Sequence, residues 1–362
     1  MSLTFDQILS WLQEVDGPRL DWLWKEADRV RREQVGDEVH LRGLLEISNY
    51  CDRACLYCGI RQPNVHLERY RMTPQEILAG AREAVTRGYG TVVMQAGEDP
   101  ALDVDALCAV IRTIKHETPL AVTLSLGERT PAELLAFRRA GADRYLLRFE
   151  TSNLELLHRL HPPRVGETED HRLAVLRSLG ELGFEVGSGV MVGLPGQTHA
   201  DLARDVLLFQ QLDLDMIGIG PYIPHPQTPL FQQQLHVADK PCAGQATADE
   251  LTTYKMMALT RLACPQVNIP STTALATINP QAGQMLGLER GANVVMSNLT
   301  PLKYRRQYEI YPNKAGSRRT SDESDGVARE QILALGRRVG TGRGDSVNQL
   351  RRSRATVHGP TE

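Results

Sequence analysis

The sequence predicts an α/β protein built as a (β/α)8 TIM-type barrel with N-terminal helices and a C-terminal extension. Short β-rich runs alternate with helical runs along most of the 362 residues, a pattern that is typical of a parallel sheet. There are eight strand-like runs, which favours closure into a barrel over an open sheet. The expected strands are 40–48, 90–96, 120–125, 144–150, 185–193, 215–221, 267–273 and 292–297.

Helical periodicity fills the intervals between these strands. One helix has a clear start, because Thr73 can cap a helix that has Pro74 in its first turn and Glu76 close behind. Others end at glycine, such as Gly88 and Gly183, as helix termini commonly do. The expected helices are 74–87, 103–116, 131–139, 169–182, 198–212, 249–263 and 281–289.

The barrel is predicted to span residues 39–312. Before it, two amphipathic segments at 5–15 and 19–34 form an N-terminal helical segment over residues 1–38. After it, the sequence becomes polar and basic, so we expect 313–362 to be a partly flexible extension. This extension is expected to hold one more helix and a frayed tail in which the tripeptide Arg-Gly-Asp occurs by chance.

Composition excludes several classes of protein. The net charge is only −3, so nothing in the overall charge indicates a nucleic-acid partner. No uninterrupted apolar run of about 18 residues occurs, so no membrane partner or span is expected. The N-terminus lacks the pattern of a signal peptide, and disulfides are not expected in so large a chain, so a cytoplasmic location is predicted.

A tight group of thiols follows the first predicted strand. Cys51, Cys55 and Cys58 lie within eight residues, whereas the other three cysteines are scattered. A zinc site usually needs four protein ligands, and a redox pair would leave one of the three thiols unexplained. An iron–sulfur cluster of four irons normally takes four thiolates, so three would leave one iron open to a small molecule. In a barrel, the loops after the strands carry the chemistry, which favours the cluster.

The spacing Cys-x3-Cys-x-aromatic-Cys resembles the signature of the radical S-adenosylmethionine (SAM) enzymes. The resemblance implies one [4Fe-4S] cluster with Cys51, Cys55 and Cys58 as its ligands, and SAM bound to the open iron. Reductive cleavage of SAM would yield a 5′-deoxyadenosyl radical that attacks the substrate. Tyr57, the aromatic residue of the motif, would lie near the adenine.

Later motifs narrow the resemblance to a biotin-synthase-like branch and, within it, to the [FeFe]-hydrogenase maturases of the HydE family. The similarity runs from about 40 to 314 and rests on "RYRMTPQEIL", "QAGEDP", "LSLGE", "DRYLLRFETSN", "VMVGLPGQT", "IGIGPYIPHPQTPL", "NIPSTTALATI" and "GANVVMSNLTPLKYRRQYEIYP". It implies a role in building the hydrogenase diiron centre, with a small cysteine-ligated iron carbonyl/cyanide complex as substrate. The implied partners are other hydrogenase maturases and a ferredoxin or flavodoxin reductant.

The resemblance also implies which residues bind SAM. Gly97 and Glu98 match the segment that meets the SAM amino group. Glu150 matches a carboxylate that contacts SAM, and Arg172 matches the arginine that holds its carboxylate, a task that suits a guanidinium. Without the family resemblance, Arg172 would be interpreted as a solvent-exposed arginine on a helix.

Other residues are expected around the substrate. Ser125 matches a cavity position in the family, although a loop serine that satisfies the backbone is nearly as good an interpretation. Arg148 precedes Glu150 by two residues on the same strand face, so it is expected to point into the barrel and bind a substrate anion. Weaker candidates are Thr272 and Thr273, which offer hydroxyls and backbone donors to an anionic ligand. Met296 and Tyr304 are expected to border the cavity, with a core role as an equally good interpretation.

Two departures from the family pattern stand out. Some HydE proteins carry a second cysteine triplet near the C-terminus, but this chain has no cysteine after Cys264, so a single cluster is expected. Phe149 stands where histidine is expected, which implies a different local polar network. Of two loop histidines, His225 is the better functional candidate and His161 the weaker, because His225 follows the sixth predicted strand.

Two other functions remain open at this point. One is a related radical SAM reaction, such as the lysine rearrangement that gives methylornithine, which would call for a barrel carboxylate to pair with the lysine ammonium. The other is a non-catalytic scaffold or carrier of iron–sulfur or iron fragments, which would keep the cysteines but need not cleave SAM.

Overall fold

The strands of the computed structural model follow the predicted order. The structure describes residues 3–164, 166–167, 171–236 and 243–357. Its strands are β1 (Glu38–Ser48), β2 (Thr91–Ala96), β3 (Ala121–Ser125), β4 (Arg144–Leu146), β5 (Glu185–Val192), β6 (Met216–Pro221), β7 (Val294–Asn298) and β8 (Arg338–Val339). The first seven form one parallel sheet in the order β6-β5-β4-β3-β2-β1-β7, and β8 pairs with the start of β1.

The sheet closes into a barrel through residues 268–271, which we call the closing segment. Single parallel bridges join it to β6, at Met216–Asn268 and Ile219–Ser271, and another joins it to β7, at Pro270–Val294. The closing segment lies where the sequence predicts the seventh strand, 267–273. Only isolated bridges form there, so it has no continuous ladder, but its backbone still completes the ring of eight.

Helices surround the ring. They are α1 (Phe5–Gln13), α2 (Gly17–Val35), α3 (Pro74–Thr86), α4 (Val104–Glu117), α5 (Pro131–Ala140), α6 (Leu154–Leu160), α7 (His171–Glu181), α8 (His199–Gln211), α9 (Pro229–His236), α10 (Glu250–Ala263), α11 (Thr273–Ile278), α12 (Gly283–Glu289), α13 (Leu302–Arg305), α14 (Ser321–Ala334) and α15 (Val347–Val357). The cap predicted for α3 is present, since Thr73 accepts from the Glu76 amide and Glu76 accepts from the Thr73 amide.

The two N-terminal helices lie against the outside of the barrel. α1 packs on α8, and α2 packs on α10. Lys255 of α10 donates to the carbonyl of Leu12 at 3.0 Å, which ties the end of α1 to the barrel helices. Within the described ranges, no helix is both long and apolar enough to cross a lipid bilayer.

β4 is shorter than the predicted strand 144–150. Regular pairing ends at Leu146, yet Glu150 still donates its amide to the Gly189 carbonyl of β5 at 3.0 Å. Glu150 has φ +66°, a left-handed conformation that costs a residue with a Cβ about 1–2 kcal/mol. The strand therefore ends in a turn that sets the direction of the Glu150 side chain.

The C-terminal extension closes the amino-terminal end of the barrel. The Arg343 carbonyl accepts from Thr91 Oγ1 at 2.9 Å and from Arg144 Nη2 at 3.0 Å. The Gly344 carbonyl accepts from Arg42 Nη2 at 3.3 Å. Thr91, Arg144 and Arg42 belong to the strands and are almost fully buried, so the extension satisfies donors that the barrel interior would otherwise leave unpaired.

Ion pairs hold the same stretch in place. Asp345 accepts from Nη2 of Arg144 at 2.5 Å, and Glu185 accepts from Nε of the same guanidinium at 2.6 Å. Arg343 pairs with Asp143 at 2.7 Å. The expectation of a frayed tail from Gly340 onward is therefore wrong for residues 340–347, and the tripeptide Arg-Gly-Asp is part of a docked plug. Residues 358–362 lie outside the described part of the chain.

Replacement of Asp345 tests how much this plug stabilises the fold. Asp345→Ala leaves the buried Arg144 guanidinium with one carboxylate instead of two, and the Asp345 side chain is 27% exposed. We expect the free energy of unfolding to fall by about 1–3 kcal/mol, less than for a fully buried pair. Urea unfolding under anaerobic conditions measures this change.

The matched control is Asp322→Ala. Asp322 also pairs with an arginine, Arg87, but its side chain is 88% exposed and Arg87 keeps Glu83 as a partner. An exposed pair of this kind contributes at most about 1 kcal/mol. Equal, small losses in the two variants would show that the plug does not stabilise the barrel.

Candidate active site

A cavity of about 340 Å³ opens at the carboxyl ends of the barrel strands. This volume is in the range of small-molecule sites. Among the residues that line it are nearly all those proposed from the sequence: Cys51, Cys55, Tyr57, Cys58, Gly97, Glu98, Ser125, Arg148, Glu150, Arg172, Thr272, Thr273 and Met296.

Tyr304 lies elsewhere. Its ring stacks on Tyr70 with centroids 4.4 Å apart, and its hydroxyl donates to Glu76 of α3 at 3.2 Å. Two other tyrosines of the same segment, Tyr308 and Tyr311, line the cavity instead. They belong to the quoted motif "YEIYP", but the sequence offers no rule for which of three nearby tyrosines turns inward.

The loop that carries the three thiols is clamped by backbone hydrogen bonds to distant segments. The Asp52 amide donates to Glu98 O at 2.9 Å, and the Leu56 amide donates to Leu160 O at 2.8 Å. The Gly59 amide donates to the carbonyl of Ile310 at 3.0 Å. The loop after β1 is therefore fixed to the end of β2, to α6 and to the segment after α13, and all three cysteines line one cavity.

Glycine makes this close packing sterically feasible. A Cβ on Gly97 would lie 2.3 Å from Tyr50 O and 2.8 Å from Cys51 Cβ, and a Cβ on Gly59 would lie 2.1 Å from Glu309 O. None of these distances is compatible with a side chain. The cysteine loop thus approaches the β2 turn as closely as two backbones allow.

The thiols share an apolar setting. Burial raises the pKa of Cys51, raises that of Cys55 well above its usual range and raises that of Cys58 to about 12. For Cys55 and Cys58, proximity to the other thiols adds to the rise in pKa, after burial, since a thiolate at one position disfavours a second. Of the remaining cysteines, Cys108 and Cys264 are buried elsewhere, and Cys242 lies outside the described residues.

Arg172 stands at the centre of a buried charge network. It donates from Nε to Glu128 at 2.8 Å, from Nη1 to the Arg148 carbonyl at 2.8 Å and from Nη2 to Glu98 at 3.1 Å. Burial lowers its pKa, but the carboxylates of Glu128 and Glu98 outweigh burial and raise the pKa above the usual value. The residue is not a solvated helix arginine, because it is 9% exposed and points into the cavity.

Glu98 is surrounded by cations. Arg164 lies 2.9 Å from it, Arg53 lies 3.7 Å from it, and Arg172 completes the set. Burial raises the pKa of the Glu98 carboxyl, and Arg172 opposes that rise. Arg53, Arg164 and Glu128 are not among the residues predicted from the sequence. Each is a common loop residue whose position in this network depends on contacts with residues distant in the sequence.

His161, the histidine considered the weaker candidate, lies beside the thiol loop. Its Nδ1 is 2.9 Å from Cys55 Sγ and 3.1 Å from the Tyr57 hydroxyl. Its Nε2 lies 2.7 Å from Arg172 Nη2. His225, in contrast, is buried below Gly59 and accepts from the Gln227 amide at 3.1 Å. Of the two histidines, His161 is therefore the one that lines the cavity, contrary to the expected position of His225.

Arg148 and Glu150 face the cavity together. Arg148 Nη2 is 3.2 Å from Glu150 Oε2, but its hydrogen bond goes to the carbonyl of Val190 at 2.5 Å. Glu150 Oε2 and Arg148 Nε are both buried, with no hydrogen-bond partner within the described residues. Unsatisfied buried polar atoms are costly, and here they point to a missing ligand. Phe149, between them, faces outward and packs on Phe209 at 5.5 Å.

Hydroxyl groups also line the cavity. Thr272, directly before α11, has its Oγ1 buried and unpaired among the described residues, and it makes no side-chain cap for that helix. Gly220 of β6 lies against it, since a Cβ there would be 3.1 Å from Thr272 Oγ1. Ser125 lines the cavity from the end of β3.

Comparison with known proteins agrees with this geometry. The sequence profile described as "Radical SAM superfamily" matches residues 45–209. The chain is 49% identical over 292 residues to the "[FeFe] hydrogenase maturase subunit HydE" of Thermotoga maritima, with 81% of this chain and 79% of that protein covered.

Two further similarities are to another enzyme. The 3-methylornithine synthase of Methanosarcina barkeri is 29% identical over 287 residues, with 78% of this chain and 75% of that protein covered. The crystal structure of methylornithine synthase (PylB) superposes with a TM-score of 0.78 at 24% identity, and covers 98% of this chain and 97% of that one. At this identity, the likeness of the structures confirms the barrel fold alone.

A methyl group at Gly97 is expected to disrupt the thiol loop. In Gly97→Ala, the new Cβ would overlap with Tyr50 O and Cys51 Cβ, so the loop must move away from β2. We expect the iron and acid-labile sulfide bound per chain after anaerobic reconstitution to fall at least several-fold.

Gly326→Ala in α14 is the matched control, because a Cβ added there would have nothing within 4 Å of it. It is expected to bind as much iron and sulfide as the unmodified chain. Full iron and sulfide content in Gly97→Ala would contradict the assignment of this turn to the thiol site.

Proposed function

Because the chain belongs to the radical SAM superfamily and to the HydE family within it, we propose that it acts in [FeFe]-hydrogenase maturation as a HydE-type enzyme. The proposed substrate is a small cysteine-ligated iron complex that carries carbon monoxide and cyanide. One observation carries this proposal: the three thiols, Arg172 and the two carboxylates Glu98 and Glu150 line a single cavity.

The thiol trio fits the cluster that the family implies. Cys51, Cys55 and Cys58 would hold a [4Fe-4S] cluster, and Gly97 leaves the room that a side chain would fill. With the cluster and SAM bound, cleavage of SAM by one electron from the cluster would supply the 5′-deoxyadenosyl radical, with methionine as the other product. The residues of the chain would bind and orient these groups.

Arg172 is proposed to hold the SAM carboxylate. Its four hydrogen bonds to described residues use four of its five N–H groups, which leaves one N–H on Nη1 for a ligand. Glu150 and Glu98 are proposed to contact SAM, Gly97 to let it approach the backbone, and Tyr57 to lie near its adenine. The left-handed backbone at Glu150 supports this role, since strain of this kind is concentrated at functional sites.

The deeper part of the cavity suits an anionic substrate. Arg148 carries an Nε with no partner within the described residues, and Thr272 adds a buried hydroxyl. Ser125, Thr273 and Met296 line the same space. These residues would hold the substrate so that one of its atoms faces the 5′-deoxyadenosyl radical. Correct orientation of the reacting groups is a large contribution that a rigid site makes to the rate.

The charges favour this substrate over lysine. A lysine ammonium needs a carboxylate with no cation beside it, but Glu98 faces Arg172. Glu150 Oε2 makes no hydrogen bond to the described residues, yet Arg148 Nη2 lies 3.2 Å from it. Glu46, inside the barrel beyond the cavity, is paired with Lys314. Each of these three carboxylates already has a cation of the chain beside it, which supports the maturase function over the lysine mutase.

Partners follow from the proposed function. A HydE-type maturase would receive electrons from a ferredoxin or flavodoxin and would exchange its substrate and product with other hydrogenase maturases. Complementation tests this role: the gene should restore hydrogenase activity in a host that lacks its own HydE. Failure with soluble, cluster-loaded protein would favour a different radical SAM reaction.

A product assay separates the enzyme from a carrier. The reconstituted protein, reduced with dithionite, is expected to convert SAM to 5′-deoxyadenosine and methionine. A variant in which Cys51, Cys55 and Cys58 are all alanine should form none. A protein that holds an intact cluster but forms no 5′-deoxyadenosine would be an iron–sulfur carrier. Incubation with lysine and SAM, with mass analysis for methylornithine, tests the remaining alternative.

Substitution of Arg172 tests its role in SAM binding. Arg172→Lys keeps the charge but loses the planar fork of donors, so we expect SAM to bind about 10–100-fold more weakly. Equilibrium binding of SAM to the cluster-loaded protein measures this.

Arg177→Lys is the matched control, on the same helix but exposed, and it should bind SAM as tightly as the unmodified chain. Equal affinity in Arg172→Lys and Arg177→Lys would remove Arg172 from the proposed SAM site.

A further inference from the structure

His161 occupies a fixed position beside one cysteine of the thiol loop. The Leu56 amide donates to Leu160 O at 2.8 Å, and the Leu230 amide donates to Leu56 O at 3.1 Å. The residues next to Cys55 and His161 are thus paired through their backbones. This pairing holds the two residues side by side, and Cys55 Sγ lies 2.9 Å from His161 Nδ1.

Two arginines determine which ring nitrogen of His161 carries the proton. Arg172 donates to Nε2 at 2.7 Å, and Arg53 donates to the same nitrogen at 3.2 Å. A guanidinium has no acceptor, so Nε2 must present its lone pair to both donors. The neutral ring then carries its hydrogen on Nδ1, which faces Cys55 Sγ and the Tyr57 hydroxyl.

Two cations approach the same ring nitrogen of this buried side chain. His161 is 7% exposed, and Arg172 and Arg53 lie 2.7 Å and 3.2 Å from its Nε2. A doubly protonated ring would point an N–H at two guanidinium groups. The geometry therefore places the ring hydrogen on Nδ1, which lies 2.9 Å from the Cys55 sulfur and 3.1 Å from the Tyr57 oxygen, so the sulfur is the nearer acceptor.

We propose that His161 is a positioning residue that donates its Nδ1 hydrogen to the Cys55 sulfur and raises the reduction potential of the cluster. This inference rests on the proposed function, since it assumes that Cys55 is a cluster ligand. A hydrogen bond to a ligand sulfur stabilises the more negative, reduced state of an iron–sulfur cluster. Because His161 also contacts Arg172, the same ring joins the proposed SAM site to the cluster.

The test is the midpoint potential of the cluster in variants of the reconstituted full chain without SAM. In His161→Ala the sulfur loses its hydrogen-bond donor, so the midpoint potential of the cluster should fall. We expect the equilibrium constant for reduction to decrease about tenfold, which corresponds to about 59 mV for one electron. In His161→Asn the side-chain amide can still donate near the Nδ1 position, so the potential should stay close to that of the unmodified chain. His116→Ala, which removes an exposed histidine of α4, should leave the potential unchanged.

If His161→Ala does not hold a cluster, a spectroscopic measurement on the unmodified chain still tests the proposed hydrogen bond. With 15N-labelled histidine, electron–nuclear double resonance of the reduced cluster should detect one weakly coupled histidine nitrogen, and His161→Asn should lose that signal. An unchanged potential in cluster-loaded His161→Ala, or no histidine coupling in the unmodified chain, would overturn the inference.

These outcomes are distinct from a failure of the proposed function. If the unmodified chain holds a cluster and cleaves SAM while the potential of His161→Ala is unchanged, only the role of His161 is wrong. If the unmodified chain holds no four-iron cluster, the proposed function itself fails.

Discussion

The attachment of the cysteine loop to distant backbone is the constraint on which the rest of the site depends. Three thiols on one short loop can face a common space only if that loop cannot straighten. Hydrogen bonds from Asp52, Leu56 and Gly59 to three other segments prevent this, and Gly97 allows the loop to approach β2. The barrel supplies these anchor points because its loops meet at the carboxyl ends of the strands.

A second constraint is charge balance around the cavity. Glu98 and Glu128 lie among Arg53, Arg164 and Arg172, so the cost of burying each charge is offset by neighbours of opposite sign. The network orients Arg172 and His161 before any ligand arrives. At the other end of the barrel, the C-terminal plug does the same for Arg42 and Arg144, so both ends are closed by polar contacts and not by apolar packing alone.

Much of this architecture could be predicted from the sequence, because hydrophobic periodicity and helix caps are local signals. The strand order, the helix starts and the position of the thiol loop follow from such signals. The docking of Arg343 and Asp345, the inward turn of Tyr308 instead of Tyr304, and the role of His161 depend on contacts between distant residues. The closing segment was predicted only in part. Its location could be predicted from the sequence, but not that it would form isolated bridges instead of a continuous strand ladder.

The central claim is that three cysteines hold a four-iron cluster and leave one iron open to SAM. Mössbauer spectroscopy of protein reconstituted with 57Fe, recorded with and without SAM, tests it most directly. The account predicts that SAM changes the signal of one iron in four and leaves the other three nearly unchanged. A spectrum that does not respond to SAM, or the finding that the cysteines bind zinc, would contradict it.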